Sequence, residues 1–113
     1  MKRIVLLCGC LLAFIACSAV NLPPIDNPAQ LTKDCDVLLA DPKAIGEHNW
    51  PDSIAKLHPV IVEKEGGAIW ITTFAKTGVG AWGYVVSHTT PSGSHYAISE
   101  TSYAGIYRFD FKP

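Results

Sequence analysis

Apolar and polar positions divide this chain into an uninterrupted apolar head and a patterned remainder. Behind the basic Met1-Lys2-Arg3, residues Ile4 to Ala16 carry no charged side chain. As a helix this stretch would be apolar on every side, without the polar face that a surface helix of a small domain presents. It would rise roughly 20 Å, short of the ~30 Å hydrocarbon core of a bilayer. A basic head followed by a short apolar run is the pattern of a secretory signal peptide. Residues 1–16 are therefore expected to be a leader.

Periodicity returns after a proline-rich segment. Asn21 to Pro28 holds Pro23, Pro24 and Pro28, which favour extended backbone over helix, so residues 17–28 are expected to act as a tether. Asn27 suits an N-cap and Pro28 a first helical position. Leu31, Cys35, Leu38 and Leu39 then recur at helical spacing, and Asp41-Pro42 ends the pattern. Trp50, Ile54 and Leu57 repeat it more briefly before Pro59. This predicts a second, shorter helix or turn with Trp50 as a core anchor.

From Pro59 onward the period is two. Gly66-Gly67 sits between PVIVEKE and AIWITTF, a two-residue loop of the kind that type I′ or II′ hairpins require. Pairing outward sets Glu65 against Ala68, Lys64 against Ile69, Glu63 against Trp70 and Val62 against Ile71. Val60, Val62, Ile69 and Ile71 then share one face; Ile61, Glu63, Trp70 and Thr72 share the other. A slip of one residue would scatter the apolar set, so the register is well specified. Residues 81–88 and 106–111 alternate as two further strands, the latter with Tyr107, Phe109 and Phe111 expected inward and Ile106, Arg108 and Asp110 outward. A shorter strand, Tyr96 to Glu100, is expected to pair between those two. The whole predicts an α+β domain over residues 29–113, with one or two N-terminal helices packed on one face of a four- to five-stranded antiparallel sheet.

The cysteines refine the leader. They stand at positions 8, 10, 17 and 35, so three lie in or beside the apolar head. Ala16-Cys17-Ser18 offers ordinary signal peptidase small residues at −3 and −1, with a cut after Ser18. Phe14-Ile15-Ala16-Cys17 resembles a bacterial lipobox, with Phe14 where Leu is usual. Leu7-Cys8-Gly9-Cys10 fits that four-residue pattern too, but using Cys10 would leave an apolar run too short for a signal. By the lipobox resemblance Cys17 becomes the lipidated N-terminus with three acyl chains, which makes anchoring stable. Ser18, standing where Asp would signal inner-membrane retention, directs the chain to the outer membrane, facing the periplasm. Cys35 is then the remaining thiol and has no internal disulfide partner; on its helical stripe it reads as a small buried hydrophobe. Ordinary secretion as a soluble protein is the competing expectation.

Charge narrows the partners. Without Lys2 and Arg3 the chain keeps seven basic residues against ten acidic ones. That balance disfavours nucleic acid and electrostatic attachment to anionic lipid.

Candidate chemistry is sparse. Of the four histidines, His88 and His95 flank the TTPSGS stretch and with Glu100 form a candidate metal set, without the HxxxH or HxH spacing usual for ligands. Ser92-Gly93-Ser94-His95 lacks the strand–Gly-x-Ser-x-Gly–helix context of a hydrolase nucleophile. Thr77-Gly78-Val79-Gly80 lacks the Lys-Ser/Thr end of a phosphate loop. No cofactor is expected and no enzyme signature is present. Ser92-Gly93-Ser94-His95-Tyr96 resembles the Ser-Gly-x-x-Tyr stretch of the periplasmic and lipoprotein inhibitors of C-type lysozyme, whose loop enters the lysozyme cleft. That family's disulfide cysteines are missing here, and the helical first half departs from its all-β barrel. The expectation is a lipid-anchored, non-enzymatic protein-binding or inhibitor-type module, with Trp70, Ser92, Gly93, Ser94, His95 and Tyr96 contacting another envelope protein. A small-ligand or metal-binding module and a structural envelope component are the alternatives.

Overall fold

Asn27 starts the first regular element of the computed structural model, which describes residues 22–91 and 96–111. Its Oδ1 accepts the Gln30 N–H at 3.1 Å, satisfying one of the donors that a helix start leaves open. Helix α1 (Pro28–Ala40) buries Leu31, Cys35 and Leu38 and ends where the Asp41 N–H bonds back to Val37 and Leu38. The second predicted helix is a single turn, α3 (Asp52–Ala55), and an unpredicted turn, α2 (Lys43–Gly46), precedes it. One full helix and two turns thus stand where one or two helices were expected. The Ser53 hydroxyl donates to the Asp34 carboxylate at 2.7 Å, tying α3 to α1. Trp50 lies just ahead of α3, half-buried against the core.

The hairpin forms as its glycines and alternation predict. Strands β1 (Ile61–Glu65) and β2 (Ala68–Lys76) pair from Glu65↔Ala68 to Ile61↔Thr72. Gly66 and Gly67 both take positive φ, 62° and 75°, as a type I′ turn demands. Val60 precedes β1 at the sheet edge and stays 53% exposed, unlike the other members of its predicted face. The period of two breaks at Thr73, where a bulge separates the Thr72↔Gly83 and Phe74↔Trp82 pairs. An extra residue in one strand returns Phe74 to the face of Ile69 and Ile71, and its ring stacks on Trp82 at 4.2 Å.

Three more strands complete an antiparallel sheet: β3 (Gly80–Val86), β4 (Ala97–Glu100) and β5 (Ile106–Phe111), in the order β1-β2-β3-β5-β4. The expectation that residues 96–100 would lie between the other two strands is therefore reversed. Strand β5 has a buried residue for each face, Ile106 and Phe109, and takes the interior position. Strand β4, with Ala97, Ser99 and Glu100 exposed, takes the edge.

Helices cover one face only. Leu31, Cys35 and Leu38 meet Val62, Ile69, Ile71, Val86 and Ile106 there, each large side chain contributing about 1.5–3 kcal/mol on burial. Strand β5 is turned over relative to the sequence expectation: Ile106 pairs with Val86, itself paired with Ile69, and so lies 1% exposed beneath the helices. Tyr107, Phe109 and Phe111 accordingly face the other side. The described end of the proline-rich segment lies on the helical side too. Leu22 and Ile25 pack on the core, and the Tyr84 hydroxyl donates to the Pro23 carbonyl at 2.6 Å.

Cys35 is fully enclosed at 0% exposure, without a disulfide. Burial, reinforced by the Asp34 and Asp36 carboxylates, pushes its thiol up from 9.0 to about 12. A thiol whose folded value exceeds the unfolded one stabilises the fold fully below pH 9, and that contribution is lost as pH rises from 9 toward 12. At pH 10.5 the loss is about 2 kcal/mol. Urea titrations at pH 7.5 and 10.5 are expected to show that fall in the native sequence and a smaller one in Cys35→Ala. Part of the slope remains in the variant, because burial also raises Tyr84.

Candidate functional site

The side of the sheet without helices carries a second, smaller apolar cluster of Ala68, Trp70, Val85 and Phe109, joined by half-buried Ile98 and Tyr107. Strand register aligns its residues in rows. Glu63, Trp70, Val85, Tyr107 and Glu100 are successive partners across all five strands, so this row carries carboxylates at both ends and rings between them. The neighbouring row runs Ile61, Thr72, Gly83, Phe109 and Ile98. Beyond the bulge, Ala75, Ala81 and Phe111 continue the same face.

Four aromatic residues of this side contact one another. Trp70 lies 5.1 Å from Tyr96 and 5.2 Å from Phe109 between ring centroids. Tyr96 in turn meets Phe109 edge-on at 5.5 Å and Phe111 at 5.6 Å. Such tilted and edge-to-face pairs add about 0.5–1.5 kcal/mol each beyond area burial. The indole N–H of Trp70 donates to the Glu65 carbonyl at 3.2 Å, which fixes the ring. Beside the rings is a concavity of about 150 Å³ bordered by Glu63, Glu65, Trp70, Tyr96 and Phe111. Its depth comes from the short side chains of Thr72, Ala75 and Ala81 on β2 and β3. A wall of rings with two carboxylates at the rim can bind a side chain or small group by area and charge.

Two residues expected to contact a partner, Trp70 and Tyr96, are thus brought together although 26 positions apart in the chain. Ser92, Gly93, Ser94, His95 and Cys17 lie outside the described residues. The candidate metal set does not assemble from its described members: His88 Nε2 is 2.7 Å from Asp36 Oδ1 of α1, on the helical side, while Glu100 pairs with Tyr107 on the other. Among the described residues no group of three or more His, Cys, Asp or Glu is placed to hold a metal ion. The His88–Asp36 pair is exposed, at 67% and 47% of the two side chains, and contributes little to stability. Sequence reasoning missed Phe109, Phe111, Glu63 and Glu65 as site residues. The hairpin register could have found Glu63 and Glu65, because it sets them on the face of Trp70; Phe109 and Phe111 carry no such local signal, because pairing with β3 decides which way β5 faces.

A larger cleft of about 760 Å³ lies between Pro23–Asn27, α1 and α3. Its walls are prolines and helix ends, and its Asp34 carboxylate is already engaged by Ser53 and by the Gln30 side-chain amide at 2.9 Å. No described helix is long and apolar enough to cross a membrane. Compared with protein-family models, curated proteins and solved structures, the chain matches none.

Proposed function

We propose that this chain is a lipid-anchored protein of the bacterial envelope, held at the outer membrane through Cys17, that binds another protein with the helix-free face of its sheet. The observation that carries the binding half is the aromatic cluster of Trp70, Tyr96, Phe109 and Phe111 on a face that needs no rings for the main core. Large aromatic side chains flanking a concavity and bordered by polar residues are the usual composition of an interface centre. The lining supplies contact area and charge, which supports the binding reading. The leader pattern and the lipobox-like Phe14 to Cys17 support the anchoring half.

Site-specific photocrosslinking in intact cells tests the docking face. A benzoylphenylalanine at Ile61 or Tyr96, which are 44% and 38% exposed, is expected to give one discrete protein adduct. The same probe at Val37, 56% exposed on the helical side, is expected to give none. Adducts of equal yield from all three positions, or none from Ile61 and Tyr96, would overturn the docking reading.

A further inference from the structure

Resting on that docking reading, we infer that the concavity beside Trp70 receives an arginine or lysine side chain of the partner protein. Four features of the pocket support this choice of occupant. Its lining is aromatic, with Tyr96 38% exposed and Phe111 half-buried in front of the buried Trp70 and Phe109, and aromatic faces attract a cation within about 6 Å. Its rim carries the carboxylates of Glu63 and Glu65, alternate residues of β1 on the same side of the strand, about 7 Å apart. No basic side chain is among the lining residues described. At about 150 Å³ the space is below the ~300 Å³ at which drug-sized ligand sites begin, and it suits one long side chain.

Charge complementarity decides between occupants. An acidic segment would meet two carboxylates of its own sign. A neutral apolar side chain would use the rings but strip water from Glu63 and Glu65 without replacing those hydrogen bonds. A quaternary ammonium head group would satisfy the rings alone, because it has no N–H for the carboxylates. A guanidinium or primary ammonium satisfies both, the guanidinium with a planar surface for the rings and forked donors for the rim. The indole of Trp70, tethered to the Glu65 carbonyl, is already in place for it. The net negative balance of the chain beyond the leader adds long-range attraction of the same sign.

The test uses the full chain in maltoside micelles, which carry no charged or quaternary head group. N-acetyl-arginine methylamide is titrated while the indole N–H resonance of Trp70, assigned with Trp70→Phe, is followed by NMR. Saturable shifts are expected, with the lysine analogue close behind. The neutral citrulline analogue and choline are expected to bind at least tenfold more weakly. Glu63→Gln with Glu65→Gln, at two exposed positions, is expected to keep the native spectrum and to weaken arginine binding about tenfold. Equal binding of citrulline, stronger binding of choline, or no effect of the double variant would each overturn the inference. The photocrosslink separates its failure from that of the docking reading. An adduct from Tyr96 that persists at full yield in the double variant removes the cation and leaves the docking face. Absence of any adduct in the native sequence removes both.

Discussion

Gly83→Ala is expected to leave little folded protein, although it adds one methyl group. A Cβ at this position would lie 1.9 Å from the Ile71 carbonyl oxygen, 2.9 Å from its carbon and 2.9 Å from the Thr72 Cα. All three are backbone atoms of the neighbouring strand, so no side-chain rotation relieves the contact. The cause is the bulge next door: Thr73 interrupts the ladder between Thr72 and Phe74, and the β2 backbone closes on β3 where glycine leaves room. Relief requires β2 and β3 to part at the centre of the sheet, where the rows of both faces cross. The expected loss is on the order of 4–5 kcal/mol, against a total stability of ~5–10 kcal/mol for a domain of this size. Gly46→Ala is the matched control, because nothing lies within 4 Å of its added Cβ. Urea unfolding monitored by circular dichroism is expected to show a transition for Gly46→Ala like that of the native sequence. Gly83→Ala should show none or one at a much lower midpoint; an unchanged midpoint would contradict the close approach.

That glycine marks the boundary of what the sequence could tell. Local signals were legible: Asn27-Pro28 positioned the start of α1, and Gly66-Gly67 with the flanking alternation set the β1–β2 register residue by residue. Both depend on interactions a few positions apart. Gly83 could only be read as a small residue in an alternating strand, because its meaning lies in the backbone of β2. Period two says which residues share a face, but not which face the helices cover, and so β5 came out turned over. Ile106 belongs with Ile69 through Val86, a link made by pairing rather than by spacing. The positions of β4 and β5 follow the same logic, since strand order depends on burial across the sheet. Proline content likewise marked residues 22–27 as outside any helix without saying that the Tyr84 hydroxyl would hold Pro23 against the domain.

The candidate site was legible in two of its members for the same reason. Trp70 stood out because the hairpin register put it on the mixed face with Glu63, and Tyr96 because it closes the Ser92–Tyr96 stretch. Their meeting at 5.1 Å depends on the strand order, with β4 at the edge beside β5. Expecting Phe109 and Phe111 to point inward leaves their rings out of any surface site. Once β5 is turned over, Phe109 and Phe111 change from expected core residues to lining of the candidate site. The two carboxylates of β1 become its rim.

Cys17→Ser is expected to have the other large effect, on location rather than on folding. On the proposed anchoring, Cys17 carries three acyl chains, two on a glyceryl group joined to its sulfur as a thioether and one on its α-amino group. A single chain gives a partition constant of only about 10⁴ M⁻¹, and each further buried methylene adds about 0.8 kcal/mol, so a second chain already makes release negligible. Charge contributes nothing in the same direction, because the chain beyond the leader carries seven basic residues against ten acidic and anionic lipid repels it. The native protein should therefore stay with membranes in high salt and in alkaline carbonate, and intact mass should exceed that of residues 17–113 by glycerol and three acyl chains. Serine cannot form the thioether, yet Ala16 and Ser18 still supply the small residues at −3 and −1. Ordinary signal peptidase should then release a soluble chain beginning at Ala19, with membrane partitioning lower by more than about 10⁴-fold. Anchored, the domain would sit close to the bilayer: residue 22 is already packed on the core, and the four residues 18–21 span at most about 14 Å. A native protein whose mass is that of the unmodified chain from Ala19 would remove the anchor and, with it, the envelope setting in which the docking face is proposed to act.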